Sequence, residues 1–248
     1  MRSLYGDLGS FLYQFKGLDL LSCFALADQG ISIYMHGASG HTMGRLYTED
    51  VLQQLNIPTA KNWQEVQHQI DQRHFSFMPL EFMCPELKRI IDFRNYLGLR
   101  SPVHTLSRLL NPLAAPYSMQ SIFHPSYGDS HQQAAIALGQ QNAAVFKGEG
   151  GEIERRPEAS CTVKTVTDGI AAEEFWPKMV EGRQHPPEKL EIKDLIAVWR
   201  GQKEDQYANN AITGTLAVAL RLLNKADTQQ QALALAQQYW QDRNQDRL

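Results

Sequence analysis

Two rhythms of apolar residues alternate along the chain: a helical spacing of about 3.6 residues, and short runs of β-branched or apolar residues bounded by turn formers. Leu18, Leu21, Phe24, Ala25 and Leu26 predict a helix, and Gly30 supplies the left-handed freedom that closes one. Ile31 to Met35 then predicts a buried strand. It runs into the polar, glycine-punctuated stretch His36-Gly37-Ala38-Ser39-Gly40-His41-Thr42-Met43-Gly44-Arg45. A loop at the carboxyl end of a strand is where open α/β sheets bind ligands, so this stretch is the first place to look for a site.

The same alternation continues. Residues 47–55 and 62–72 predict helices, the second capped by Asn62, and residues 75–78 a short strand. Pro85 opens an amphipathic helix to Leu97 with Leu87, Ile90, Ile91 and Leu97 on one face and Gly98 as its stop. A helix over 103–110 ends at Asn111-Pro112, because proline cannot continue the ladder. Strands at 119–123 and 143–146 flank a helix at 128–138, and residues 161–166 predict a further strand. A proline-rich connection around His185-Pro186-Pro187 leads to helices at 188–199, 205–223 and 228–242. Residues 1–16 show no clear period. The expected class is therefore α/β, a mostly parallel sheet flanked by helices.

Composition narrows this picture a little. At 43% hydrophobic and 21% charged residues, with no heptad or internal repeat, the 248 residues exclude disorder and coiled coil. A net charge of −3 gives no global basic footprint, so binding to nucleic acid would need a local patch. Cys23, Cys84 and Cys161 lack the paired spacing of a zinc or redox motif. Neither a signal peptide nor a membrane span is supported, and a cytoplasmic location is expected.

Several short motifs in one order carry a family resemblance. Gly30-Ile31-Ser32-Ile33-Tyr34-Met35-His36-Gly37 resembles the strand and His-Gly turn of anthranilate phosphoribosyltransferases, and Gly98-Leu99-Arg100-Ser101 with Asn111-Pro112 resembles their Gly-x-Arg-Thr and Asn-Pro region. Phe77-Met78-Pro79, His104-Thr105-Leu106 and His124-Pro125 extend the match to the bacterial anthranilate phosphoribosyltransferase-like paralogues of glycosyltransferase family 3. The resemblance implies a class IV phosphoribosyltransferase-like fold: an α/β domain over residues 1–84 and 113–248, and at 85–112 an inserted part of a small helical domain. It implies a homodimer in a full-length form, built through that helical part. It also places the family's amino-terminal helices and first sheet strand before Met1.

The resemblance further implies where the chemistry should lie. In catalytic members a glycine loop and an Asn-x-Ser-Thr element bind phosphoribosyl pyrophosphate. Counting back from Gly30, these fall near Asp7-Leu8-Gly9-Ser10-Phe11 and Gly17-Leu18-Asp19-Leu20, where neither pattern is kept. An Asp in place of a phosphate ligand is repulsive. Of the adjacent Asp-Glu pair that holds magnesium, Glu152 remains, with Glu149 as a substitute; the bland alternative makes both solvated loop residues. His36 and Gly37 keep the acceptor turn, but the Asn that usually follows is Ala38. Arg100 corresponds to the arginine that faces the acceptor carboxylate; the alternative is an arginine capping helix carbonyls.

Two functions follow. The first is a non-catalytic, sequence-nonspecific nucleic-acid-binding protein (DNA or RNA) using Lys88, Arg89, Arg94, Arg100 and Arg108 in the two-helix segment and Lys147, Arg155 and Arg156 on later loops. The alternative is a phosphoribosyltransferase that uses phosphoribosyl pyrophosphate, magnesium and a small acceptor other than anthranilate. Candidate ligand contacts are His36, Gly37, Thr42, Arg45, Arg100 and His104, with Glu152 as metal ligand.

Overall fold

In a computed structural model, residues 2–4, 17–39, 46–99, 101–148, 152–182 and 191–248 are described. Five parallel strands, β1 (Arg2–Leu4), β2 (Ile33–Gly37), β3 (Phe75–Pro79), β4 (Tyr117–Ile122) and β5 (Asn142–Lys147), are extended by an antiparallel pair, β6 (Cys161–Thr167) and β7 (Ile170–Trp176). The sheet order is β3-β2-β1-β4-β5-β6-β7. The α/β reading with a mostly parallel sheet holds. β1 sits mid-sheet, Ser3 in register with both Tyr34 and Ser118.

Alternation along the strands sorts side chains between two layers. Ile33 and Met35 of β2, Phe75 and Phe77 of β3, Met119 of β4 and Phe146 of β5 join one large core. That core lies under α1 (Leu18–Asp28), α2 (Thr48–Gln54), α9 (Ile192–Trp199), α10 (Gln206–Leu222) and α11 (Gln229–Gln241). α10 is nearly wholly buried and carries Ala211, Gly214, Ala217 and Ala219, small residues that let it approach closely. On the opposite face Tyr34 and Met78 pack with Val66 and Ile70 of α3 (Trp63–Arg73). Farther along that face, Ala143 and Val166 pack with Ala135 of α8 (Gly128–Ala137).

Most element ends follow local chemistry. Asn62 accepts the Glu65 N–H, as the sequence predicts of a cap, and Asp205 and Thr228 likewise cap α10 and α11 by accepting from Ala208 and Gln231. The predicted helix over 85–97 is broken: α5 (Pro85–Asp92) ends at Phe93 and α6 (Arg94–Leu97) continues for one turn. Only Ile91 of this stretch is fully buried, so no continuous core face holds a longer helix straight. A short α4 (Leu80–Met83) precedes it, and α7 (Val103–Leu106) passes into a 3₁₀ turn over Ser107–Leu109. β7 was not predicted. Asp168 and Gly169, both at positive φ, form the two-residue turn that joins it to β6. Among the described residues no helix is long and apolar enough to cross a membrane.

Candidate functional site

The turn after β2 is a packed wall. His36 points to the α3 face and is buried; its Nε2 donates to the Leu110 carbonyl at 3.3 Å, which fixes the neutral tautomer because a carbonyl only accepts. Burial pushes its pKa down to about 4, opposed in part by that carbonyl. Near neutral pH it is an uncharged imidazole. Gly37 is in register with Pro79, and Ala38 packs with Leu80 and Ile91, so α4 and α5 close over the turn. Ser39 donates to Glu49 at 2.6 Å. His104, only 2% exposed, is held within α7 by Ser101, whose N–H lies 3.3 Å from Nδ1. Thr42, Arg45, Arg100 and Glu149 lie outside the described residues.

The start of α1 turns its polar group inward. Gly17, at φ 67°, leads into a first turn in which Leu18 and Leu20 are fully buried. Asp19, 2% exposed, accepts the Leu20 N–H at 2.9 Å. Its surroundings are Ser22, Cys23, Met35, Met119 and Thr215, the interior between α1, the sheet and α10. The carboxylate helps to raise the Cys23 thiol pKa, after burial itself. The helix end thus holds its own buried carboxyl group.

After β5 the chain returns sharply toward the core. Gly148 donates to Ser121 Oγ at 3.2 Å, and Glu152, Ile153, Glu154 and Arg155 are all buried. Glu152 is therefore not a solvated loop residue. Among the described residues no group of three or more His, Cys, Asp or Glu is arranged to hold a metal ion.

The predicted cations divide sharply by environment. Arg89 is exposed on α5, Lys88 pairs with Asp92 at 2.6 Å, and Arg94 is half-buried on α6. Arg108 is buried and donates through Nη1 to the Ser121 carbonyl. Arg155 is buried too: its guanidinium lies 5.0 Å from the centre of the Trp176 ring, Nη2 donates to the Pro177 carbonyl, and its N–H donates to Thr215 Oγ1 at 3.0 Å. Neither presents charge to an approaching polyanion; both satisfy backbone carbonyls. Lys147 is not in a loop but ends β5, exposed, and it lines a hollow together with Arg156 and Lys164. Lys164 was not singled out from the sequence. The signal was the alternation of β6, which sets Lys164 and Val166 on the face that α8 covers.

Residues 18–243 match the profile described as "Glycosyl transferase family, a/b domain". The chain belongs to that glycosyl transferase family. Among curated relatives, the anthranilate phosphoribosyltransferase of Aquifex aeolicus is 28% identical over 205 residues, covering 78% of this chain and 60% of the relative. That of Burkholderia cenocepacia is 26% identical over 223 residues, covering 88% and 65%. The chain thus spans somewhat less than two thirds of the length of these relatives. Solved glycosyl transferase relatives share the fold. The Thermus thermophilus anthranilate phosphoribosyltransferase superposes with a TM-score of 0.79 at 20% identity, covering 96% of this chain and 72% of that one. The Saccharomyces cerevisiae enzyme, in complex with phosphoribosyl pyrophosphate and magnesium, gives 0.75 at 17%, covering 99% and 70%.

Proposed function

We propose that this anthranilate phosphoribosyltransferase-like protein has a degenerate phosphoribosyl pyrophosphate site and serves as a non-catalytic, sequence-nonspecific nucleic-acid-binding protein. The observation that carries this reading is Asp19. It occupies the position that the family resemblance gives to a phosphate-binding element, and there its buried carboxylate already takes a first-turn N–H of α1. A phosphate brought to that helix end would have to compete with this side-chain oxygen for the Leu20 N–H. The buried, neutral His36 and the enclosed Ala38 add support, because neither side chain is open to a small acceptor.

Among the described residues, Arg89 on α5, Lys147 at the end of β5 and Arg156 on the loop that follows are cations able to meet a phosphate backbone. Contacts of this kind displace counterions and make affinity fall steeply with salt. Fluorescence anisotropy with labelled single-stranded and duplex oligonucleotides across a salt series tests the reading. Binding should appear at low salt with little dependence on sequence; silence at low salt would reject it. Calorimetric titration with phosphoribosyl pyrophosphate and magnesium is the counter-test, and heat of binding there would restore the transferase reading.

A further inference from the structure

We propose that the hollow between α8 and the β6–β7 hairpin seats a single nucleotide unit, its phosphate toward Lys147 and its base on the ring of Phe175. This deepens the nucleic-acid reading and rests on it for the ligand class.

The hollow encloses about 320 Å³, at the lower end of the usual size for a small-ligand site. Its floor is apolar, from Ile122, Pro125 and Val145. Lys147, Arg156 and Lys164 supply the charge, and no carboxylate among the described residues lines it. Gly128 at the start of α8 makes this geometry feasible: a Cβ there would lie 3.3 Å from Cγ of Lys164, so its absence lets the lysine stem cross the helix end.

The carboxylates that balance these cations stand outside the hollow. Lys164 Nζ pairs with Asp129 at 2.8 Å and Glu173 at 2.5 Å, and those side chains are 76% and 60% exposed. Exposed pairs contribute little and yield readily to a stronger anion. Arg156 is held by Glu158, its Nε at 2.9 Å and Nη2 at 2.6 Å, which fixes the guanidinium in place. Lys147 has no ion pair among the described residues and is exposed at the strand end. The half-buried Cys161 thiol on the wall stays protonated near neutral pH, because burial raises its pKa against the pull of Arg155. It adds no negative charge.

A dianionic phosphate suits three cations over an apolar floor, but an isolated phosphate leaves that floor unfilled. Phe175 explains the rest. It lines the hollow while remaining 65% exposed, an aromatic face offered to solvent rather than to a core. Such faces stack nucleobases with little regard to sequence.

Calorimetry on the full chain tests the assignment with adenosine 5′-monophosphate, inorganic phosphate and adenosine as probes. The monophosphate should bind measurably below about 1 mM and more tightly than either fragment. Lys147→Ala should weaken it about tenfold and Phe175→Leu severalfold, with melting temperatures unchanged. Lys203→Ala, which alters a distant pair with Asp194, should leave it unaltered. No heat with the monophosphate, equal affinity for phosphate alone, or indifference to Lys147→Ala would each overturn the proposal. A second arm compares 5′-phosphorylated and 5′-hydroxyl oligonucleotides. Preference for the phosphorylated end makes a nucleic-acid terminus the source of the nucleotide, and equal binding makes it a free nucleotide; both are read only once the monophosphate has bound. Oligonucleotide binding without monophosphate binding rejects this pocket and leaves the broader reading standing. The reverse rejects the broader reading and leaves the pocket.

Discussion

Asp28, the last residue of α1, accepts Nε of Arg247 at 2.7 Å, joining positions 219 residues apart. The same carboxylate accepts the Asn244 N–H at 2.8 Å, and the Arg247 guanidinium lies 5.6 Å from the Phe24 ring centre. One side chain therefore fastens the carboxyl end of the chain to the helix that opens the main core. Asp28→Ala should cost about 2 kcal/mol, since it leaves a largely buried guanidinium and an N–H without their acceptor. A fall in melting temperature of several degrees, with faster proteolysis after Gln241, is the expected measurement.

Two buried imidazoles should set the acid limit of stability. His36 and His131 are each lowered from 6.5 to about 4, both chiefly by burial, His131 with added repulsion from Arg108. A depressed histidine pKa means that the unfolded chain takes up the proton first. Stability is then fully present above pH 6.5, falls as pH drops toward 4, and levels off below it. Each group contributes a slope of about 1.4 kcal/mol per pH unit inside that window. Urea denaturation at pH 7.5, 6 and 5 should show the loss, and His131→Gln should remove part of the slope.

Gly148 should tolerate no side chain. A Cβ there would overlap the Glu152 carbonyl oxygen and stand 2.6 Å from Ser121 Oγ. Backbone cannot yield as a flexible side chain can. Gly148→Ala should therefore cost about 3 kcal/mol or prevent folding, read by circular dichroism and soluble yield.

The cations should separate into two classes on mutation. Arg155→Met should lower stability and shift Trp176 fluorescence while leaving the salt dependence of oligonucleotide binding unchanged. Lys147→Ala should do the opposite, reducing the salt slope by about one with no change in melting temperature.

Elements declared themselves in the sequence where a local signal sufficed. Asn62, Asp205 and Thr228 marked helix starts, and Gly30 an ending, because a cap is satisfied by its nearest neighbours. β7 was equally local. Asp168-Gly169 between Thr167 and Ile170 is a strong hairpin signal, but Ile170 and Ala171 through Glu173 are exposed, and the segment lacks the apolar alternation that predicts a strand. Whether Arg108, Arg155 or Glu154 would be buried could not be read, because each depends on partners far along the chain, such as Ser121, Thr215 or Trp176. The same holds for Asp19, whose type was legible and whose direction was not.

The shortest strand joins the two halves of the sheet. β2 and β3 pair with each other, β4 to β7 form a continuous set, and among the described residues only the three of β1 bridge them by backbone hydrogen bonds, with α1 and α10 spanning one face. The molecule thus has a seam. Opening it would bare two unpaired strand edges, on β2 and β4, while leaving both blocks folded. Amide exchange should register this as two protection levels, with β1 and its facing amides exchanging well before the flanking pairs, and self-association should set in before global unfolding.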